Sequence, residues 1–170
     1  MSPRDLVLMP GGIRFMGRRF PCAIGRGGVR TDKREGDGAT PAGILRIVGL
    51  LYRADRMAPP APWARPVSPG DLWCDDPASP DYNLPVQAPF PASHERLRRA
   101  DPLYDMILLT DYNFLPVRSG RGSAIFLHVW RRPRYPTEGC IAFARKDLQW
   151  IIARIRPGTR VVVPGGIARG

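Results

Sequence analysis

The chain has few of the features that would place it in a membrane, around a metal or in a disulfide scaffold. No apolar run in its 170 residues approaches the ~20 that a spanning helix needs. The opening MSPRDLVLMPGGIRF is too polar, and too soon interrupted by Pro10-Gly11-Gly12, to form the apolar centre of a signal peptide. The expected location is therefore the cytoplasm, or the periplasm if a presequence has been removed. Histidine occurs twice and cysteine three times, in no zinc-ligand spacing. Gly25-Arg26-Gly27-Gly28 lacks both a Lys-Ser/Thr ending and a following helix, so it reads as a flexible turn and not a phosphate loop. No metal and no cofactor are expected. The odd cysteine count leaves at least one thiol free, and reduced, buried thiols are the default for Cys22 and Cys74.

The formal charge of +11 comes mostly from scattered arginine. Such a field attracts anions without choosing among them. There is no run of five or six basic residues and no RNA-binding aromatic motif, so nucleic acid is not the expected partner. What the chain does have is proline, with 20 copies, and glycine, with 18. That composition favours short strands and turns over long helices. The length fits one domain, 1–170, with a sizeable core, and no internal repeat divides it.

In chain order, Asp5 to Met9 reads as a first strand and Gly11-Gly12 as a hairpin turn into Ile13 to Phe15. Arg18 to Ile24 reads as one further strand, and Lys33 to Gly43 as a loop leading into Ile44 to Leu51. The β-branched and leucine-rich character of that last strand predicts a central, largely buried position. From Met57 to Pro91 prolines recur every few residues, with Trp63, Trp73, Tyr82, Leu84 and Phe90 as anchors. An ordered excursion over one end of the core, and a candidate substrate-side lid, is expected there. His94 is read as a surface histidine at the start of a short basic helix, Glu95 to Arg99. Asp105 to Thr110 and Thr159 to Val163 complete the strands. Leu148, Ile151, Ile152 and Ile155 follow helical spacing up to Arg156-Pro157-Gly158.

The chemistry concentrates in Ile125 to Phe143, IFLHVWRRPRYPTEGCIAF. His128 ends an apolar strand, and Cys140 follows a Thr-Glu-Gly turn. A thiol becomes a usable nucleophile when an imidazole takes its proton. Gly139 lets the backbone turn and approach closely, with the Cys140 N–H facing the place where an oxyanion forms. The following helix is expected directly after Cys140, where its positive end would favour thiolate.

These residues resemble the L,D-transpeptidase catalytic domain (YkuD) family, whose signature is a histidine followed, after a loop, by Ser/Thr-His-Gly-Cys. The matching residues are His128, Thr137, Gly139 and Cys140, and Gly38-Ala39-Thr40-Pro41-Ala42-Gly43-Ile44 resembles the family's strand entry. Glu138 replaces the second histidine, the intervening loop is short, and Ala142 stands where the family has Asn or Arg. The resemblance implies a mainly β fold, a sandwich or partly closed barrel of short strands with one substantial helix after the cysteine. It makes Cys140 the acyl-accepting nucleophile and His128 its base, held by a backbone carbonyl near Val129. Arg131, Arg132 and Arg134, with Thr137 and Glu138, are the candidate substrate contacts, and Glu138 is expected to be either a solvated turn residue or the partner of an arginine such as Arg131, Arg132 or Arg134. The implied substrate is a peptidoglycan-derived tetrapeptide or muropeptide, attacked at the diaminopimelate–D-alanine bond. Water as acceptor gives an L,D-carboxypeptidase, the outcome favoured by a cytoplasmic location. An exported enzyme would form 3-3 cross-links. The competing class is a basic module that binds glycan or nucleic acid without catalysis.

Overall fold

The computed structural model describes residues 2–166. Its first hairpin pairs β1 (Leu6–Met9) with β2 (Gly12–Phe15), turning at Gly11, whose φ is +77°. β3 (Arg18–Phe20) follows, and β4 (Cys22–Ala23) comes after a break at Pro21. The single strand expected over 18–24 is thus two, because proline has no N–H to continue the ladder. β5 (Val29–Arg30) and β6 (Thr40–Pro41) form a small parallel pair. β7 (Gly43–Tyr52) is the longest strand, and β8 (Arg65–Pro66) lies against its end. β9 (Asp71–Cys74), β10 (Pro85–Gln87) and β11 (His94–Arg96) make a separate three-stranded sheet. β12 (Met106–Thr110), β13 (Phe126–Val129), β14 (Ile141–Phe143), the helix α1 (Arg145–Ile152) and β15 (Arg160–Val163) complete the chain.

The large sheet runs β3-β2-β1-β15-β7-β12-β13-β14-β4. Its two ends, β3 and β4, are neighbours in sequence across Pro21, so the sheet curls until it is nearly a closed barrel. This is a mainly β fold with one helix among the described residues. β7 sits centrally, between β15 and β12. It is not buried on both faces as expected, since Ile44 is 58% and Val48 47% exposed while Leu45, Ile47 and Leu50 are buried. Antiparallel neighbours on both sides require no helix over the second face, so its side chains alternate.

The barrel interior is filled by Leu6, Ile13, Phe15, Ile47, Leu127, Val129, Ile141 and Phe143, with Leu148, Ile151 and Ile152 of α1 packed on them. α1 ends at Ile152, one turn earlier than the spacing of Ile155 suggests, although Ile155 is still buried. Asp147 in its first turn complements the dipole in place of a side-chain cap, which Ala144 cannot provide.

The outer face of β12 and β13 carries a second apolar cluster, in which Val67 and Trp73 of the proline-rich stretch, with Leu97 beyond it, cover Tyr104, Ile107, Phe126 and Cys140. The stretch is ordered by buried contacts. Trp73 Nε1 donates to Asn83 Oδ1 at 2.9 Å and stands edge-on to Phe126 at 5.0 Å, and the Gly122 N–H donates to the Tyr82 hydroxyl at 3.0 Å. Its sheet takes in β11, past the Pro91 at which the sequence places the end of the excursion. The helix expected from Glu95 is absent, because His94, Glu95 and Arg96 pair with Cys74, Trp73 and Leu72.

Candidate active site

β13 and β14 run parallel, with Leu127 opposite Ile141 and His128 opposite Ala142. One place further back, Cys140 faces Phe126, whose N–H donates to Sγ at 3.4 Å. Alternation then sends Leu127, Val129, Ile141 and Phe143 into the barrel core and Phe126, His128, Cys140 and Ala142 to the other face. The imidazole and the thiol therefore share one face, on adjacent strands and one alternation apart. Standard strand spacings put their Cα atoms roughly 8 Å from each other. Ala142 beside His128 leaves space where a larger side chain would fill it.

That face opens into a cleft of about 380 Å³ lined by His128, Cys140, Tyr104, Glu95, Arg99 and Arg131, with Thr137 and Glu138 at one edge. His128 is 5% exposed and Cys140 9%. The imidazole Nδ1–H donates to the Val129 carbonyl at 2.8 Å, which leaves Nε2 as the basic nitrogen. Burial pushes its pKa down to about 4, so the ring is neutral near pH 7 and able to accept a proton. The Tyr104 ring stands edge-on to it at 5.2 Å.

The thiol donates to the Ala124 carbonyl at 3.1 Å. Burial, and then the charge of Glu95, push it up to about 12, against smaller lowering effects of the Phe126 N–H and Lys33. This overturns the expectation of a helix-activated thiolate. β14 stands between Cys140 and α1, so the helix begins at Arg145 and its dipole is spent elsewhere. The resting pair is a neutral thiol and a neutral imidazole, an arrangement in which the proton leaves sulfur as attack occurs.

The turn before Cys140 is fixed from three sides. Thr137 Oγ1 donates to the Cys140 carbonyl at 2.6 Å and accepts from the Gly139 N–H at 3.2 Å. The Thr137 N–H donates to Ile24 O at 3.0 Å, and the Arg26 N–H to Thr137 O at 2.8 Å. Thr40 Oγ1 donates to the Gly139 carbonyl at 2.8 Å while accepting from the Gly25 N–H at 2.9 Å. Gly139 has φ +143°, and a Cβ there would lie 2.8 Å from Ala39 O. The two sequence motifs around Thr40 and Cys140 therefore meet at one turn.

The other candidate residues separate. Among Arg131, Arg132 and Arg134 only Arg131 lines the cleft. Arg132 stacks over the Tyr135 ring at 4.4 Å. Arg134 reaches the Gly11 turn, and its charge acts on Cys22. Glu138 is 75% exposed and pairs with Arg26 Nε at 2.8 Å, not with an arginine of its own loop. The carboxylate that acts on Cys140 is Glu95. Neither Glu95 nor Arg99, which forks onto Asp101 at 2.9 and 2.6 Å, is placed at the site by any local motif. Tyr104 likewise carries no signal beyond its place just ahead of a strong strand.

The model of the L,D-transpeptidase catalytic domain (YkuD) matches residues 5–163, from the first strand to the last. Neither the curated proteins nor the solved structures compared with the chain give a match. A cysteine and a histidine on one face of parallel β13 and β14, behind a glycine turn clamped by Thr40, are what that match spans, and the chain belongs to the L,D-transpeptidase catalytic domain (YkuD) family.

Proposed function

We propose that the chain is an L,D-carboxypeptidase that removes the terminal D-alanine from peptidoglycan-derived tetrapeptides through a Cys140 thioester. The family acts on peptidoglycan. The observation that carries the finer reading is the shared face of Cys140 and His128 above a single cleft. Cys140 Sγ attacks the carbonyl at the L-centre of diaminopimelate as His128 Nε2 takes the thiol proton. Collapse of the tetrahedral intermediate expels the D-alanine nitrogen, which leaves with that proton as the amine. Water, deprotonated by the same imidazole, then attacks the thioester, releasing the tripeptide and restoring the thiol. Val129 O keeps the imidazole in the required tautomer. The Cys140 amide is proposed as the oxyanion donor, since the Gly139 N–H is already held by Thr137.

Arg131 borders the cleft and supplies the forked donor that a substrate carboxylate requires, whereas the Arg99 fork is held by Asp101. Thr137 shapes the turn through its two hydrogen bonds. A cleft of about 380 Å³ is near the lower end of ligand pockets, at roughly 300–1,000 Å³, and takes one peptide end. Incubating the protein with a disaccharide tetrapeptide tests this. Tripeptide and free D-alanine are the expected products, with a covalent adduct on Cys140 that Cys140→Ala lacks. Dimers or exchanged D-amino acids would replace hydrolysis with transfer. Binding without an adduct would remove the enzyme reading.

A further inference from the structure

We propose that Glu95 is the ammonium-binding residue of the cleft, taking a primary amine of the bound peptide beside Cys140. The inference rests on the reading of the cleft as a peptide site. Glu95 reaches it from β11, outside both motifs of the site. One carboxylate oxygen, Oε2, accepts from the Tyr104 hydroxyl at 2.6 Å. The other has no hydrogen-bond partner, and no cation pairs with Glu95 among the described residues. The nearby arginine is committed elsewhere, since Arg99 forks onto Asp101.

A second acidic group deepens the imbalance. Asp75, just past the end of β9, acts electrostatically on Glu95, and its Oδ1 is buried with no partner among the described residues. Burial, and then the charge of Asp75, push the Glu95 carboxyl up against the lowering effects of the Tyr104 hydroxyl and Arg99, and a cation seated on its open oxygen favours the carboxylate. In a chain of net charge +11, arginines line the cleft, but none pairs with Glu95 among the described residues. A peptide ammonium seated on Glu95 Oε1 satisfies the open acceptor. It also offsets the charge that disfavours the Cys140 thiolate, so that arrival of the right peptide eases loss of the thiol proton. Tyr104 links the two, holding Glu95 through its hydroxyl and flanking His128 with its ring.

Two sources of the ammonium share this chemistry: the side chain of the acyl donor's diaminopimelate residue, and an amine arriving as acyl acceptor. The test uses the full chain carrying Cys140→Ala, titrated calorimetrically with the tetrapeptide and with the same peptide acetylated on its diaminopimelate amine. Acetylation should weaken binding about tenfold or more, the scale of a hydrogen bond to a charged group. Adding Glu95→Gln should abolish the difference. If acetylation has no effect, the second arm measures how acylated, otherwise native protein partitions between water and an added amino acid amide. A fall in aminolysis with Glu95→Gln assigns the ammonium to the acceptor. The proposal is overturned if both arms are insensitive, and the donor arm alone decides should Glu95→Gln fail to fold. Absence of any thioester adduct on the native protein would instead remove the reading of the site on which the proposal rests.

Discussion

Replacing Gly139 by alanine tests whether the turn before Cys140 is as tightly determined as its contacts indicate. Its φ of +143° is a conformation that side-chain-bearing residues rarely adopt. Holding alanine there costs about 1–3 kcal/mol. The added Cβ also lies 2.8 Å from Ala39 O and 3.2 Å from Ile125 Cδ1, and the first of these is backbone that cannot rotate away. Relieving it adds roughly 1–3 kcal/mol of overpacking. The sum of about 2–6 kcal/mol corresponds to a fall in Tm of roughly 5–20 °C for a chain of this size. Gly158→Ala is the control, because Gly158 also has positive φ, +88°, yet nothing within 4 Å of its Cβ position. It should lose only the conformational part. Thermal unfolding measures both. Single-turnover mass spectrometry then follows thioester formation, which Gly139→Ala should slow about 100-fold if the turn shifts by an ångström. Equal Tm losses in the two variants, with acylation undiminished in Gly139→Ala, would refute the clamped-turn argument.

Thr40→Val removes a hydroxyl that serves both the Gly25 N–H and the Gly139 carbonyl, and should cost about 1–3 kcal/mol in urea unfolding while lowering kcat more than it raises KM. Alkylation of Cys140 by iodoacetamide should climb about tenfold per pH unit from 7 to 10, because burial holds the thiol up at about 12; a plateau below pH 8 would contradict the burial argument. His128 has its pKa lowered from 6.5 to about 4, so the unfolded chain binds its proton first, and the stability this residue contributes is complete above pH 6.5 and lost as pH falls to 4. The loss should reach about 3 kcal/mol, read as the steeper urea-midpoint decline of the parent relative to His128→Gln. Arg131→Glu should raise KM for the tetrapeptide about tenfold or more and Arg134→Glu far less, since only the former borders the cleft; the reverse order would displace the carboxylate contact.

Much of the candidate site was legible because His128 and Cys140 lie within one short stretch. Alternation along Ile125 to Val129 and a glycine turn ahead of Cys140 are local signals, and local signals survive in a single sequence. The helix was legible from Leu148, Ile151 and Ile152, but its distance from Cys140 was not. Ile141-Ala142-Phe143 is too short to declare itself a strand without its partners Leu127, His128 and Val129. Burial of the thiol was equally invisible, because it depends on Trp73 and Tyr104 crossing the outer face of the sheet. His94 to Arg96 shows the same limit. Its basic residues read as a helix, but pairing with Leu72 to Cys74 makes it a strand and thereby brings Glu95 into the cleft. Long-range pairing decided these points, and no periodicity within the segment records it.

Net charge is a poor guide to this cleft. The arginines that make the chain strongly basic are scattered, and several are consumed in pairs such as Arg53 with Asp55 and Arg160 with Asp5. At the cleft, Arg99, Arg131 and Glu95 are all part of the lining. Cations and an anion held a few side chains apart do not select for a polyanion, whose repeated charges would meet Glu95. They suit a ligand with carboxylate and ammonium on one residue, which is the chemistry of diaminopimelate. The same separation explains why a thiol pushed up by burial can still serve. Burial opposes its ionisation first and Glu95 second, and under the proposed seating of an ammonium on Glu95 the second effect is offset in the occupied cleft.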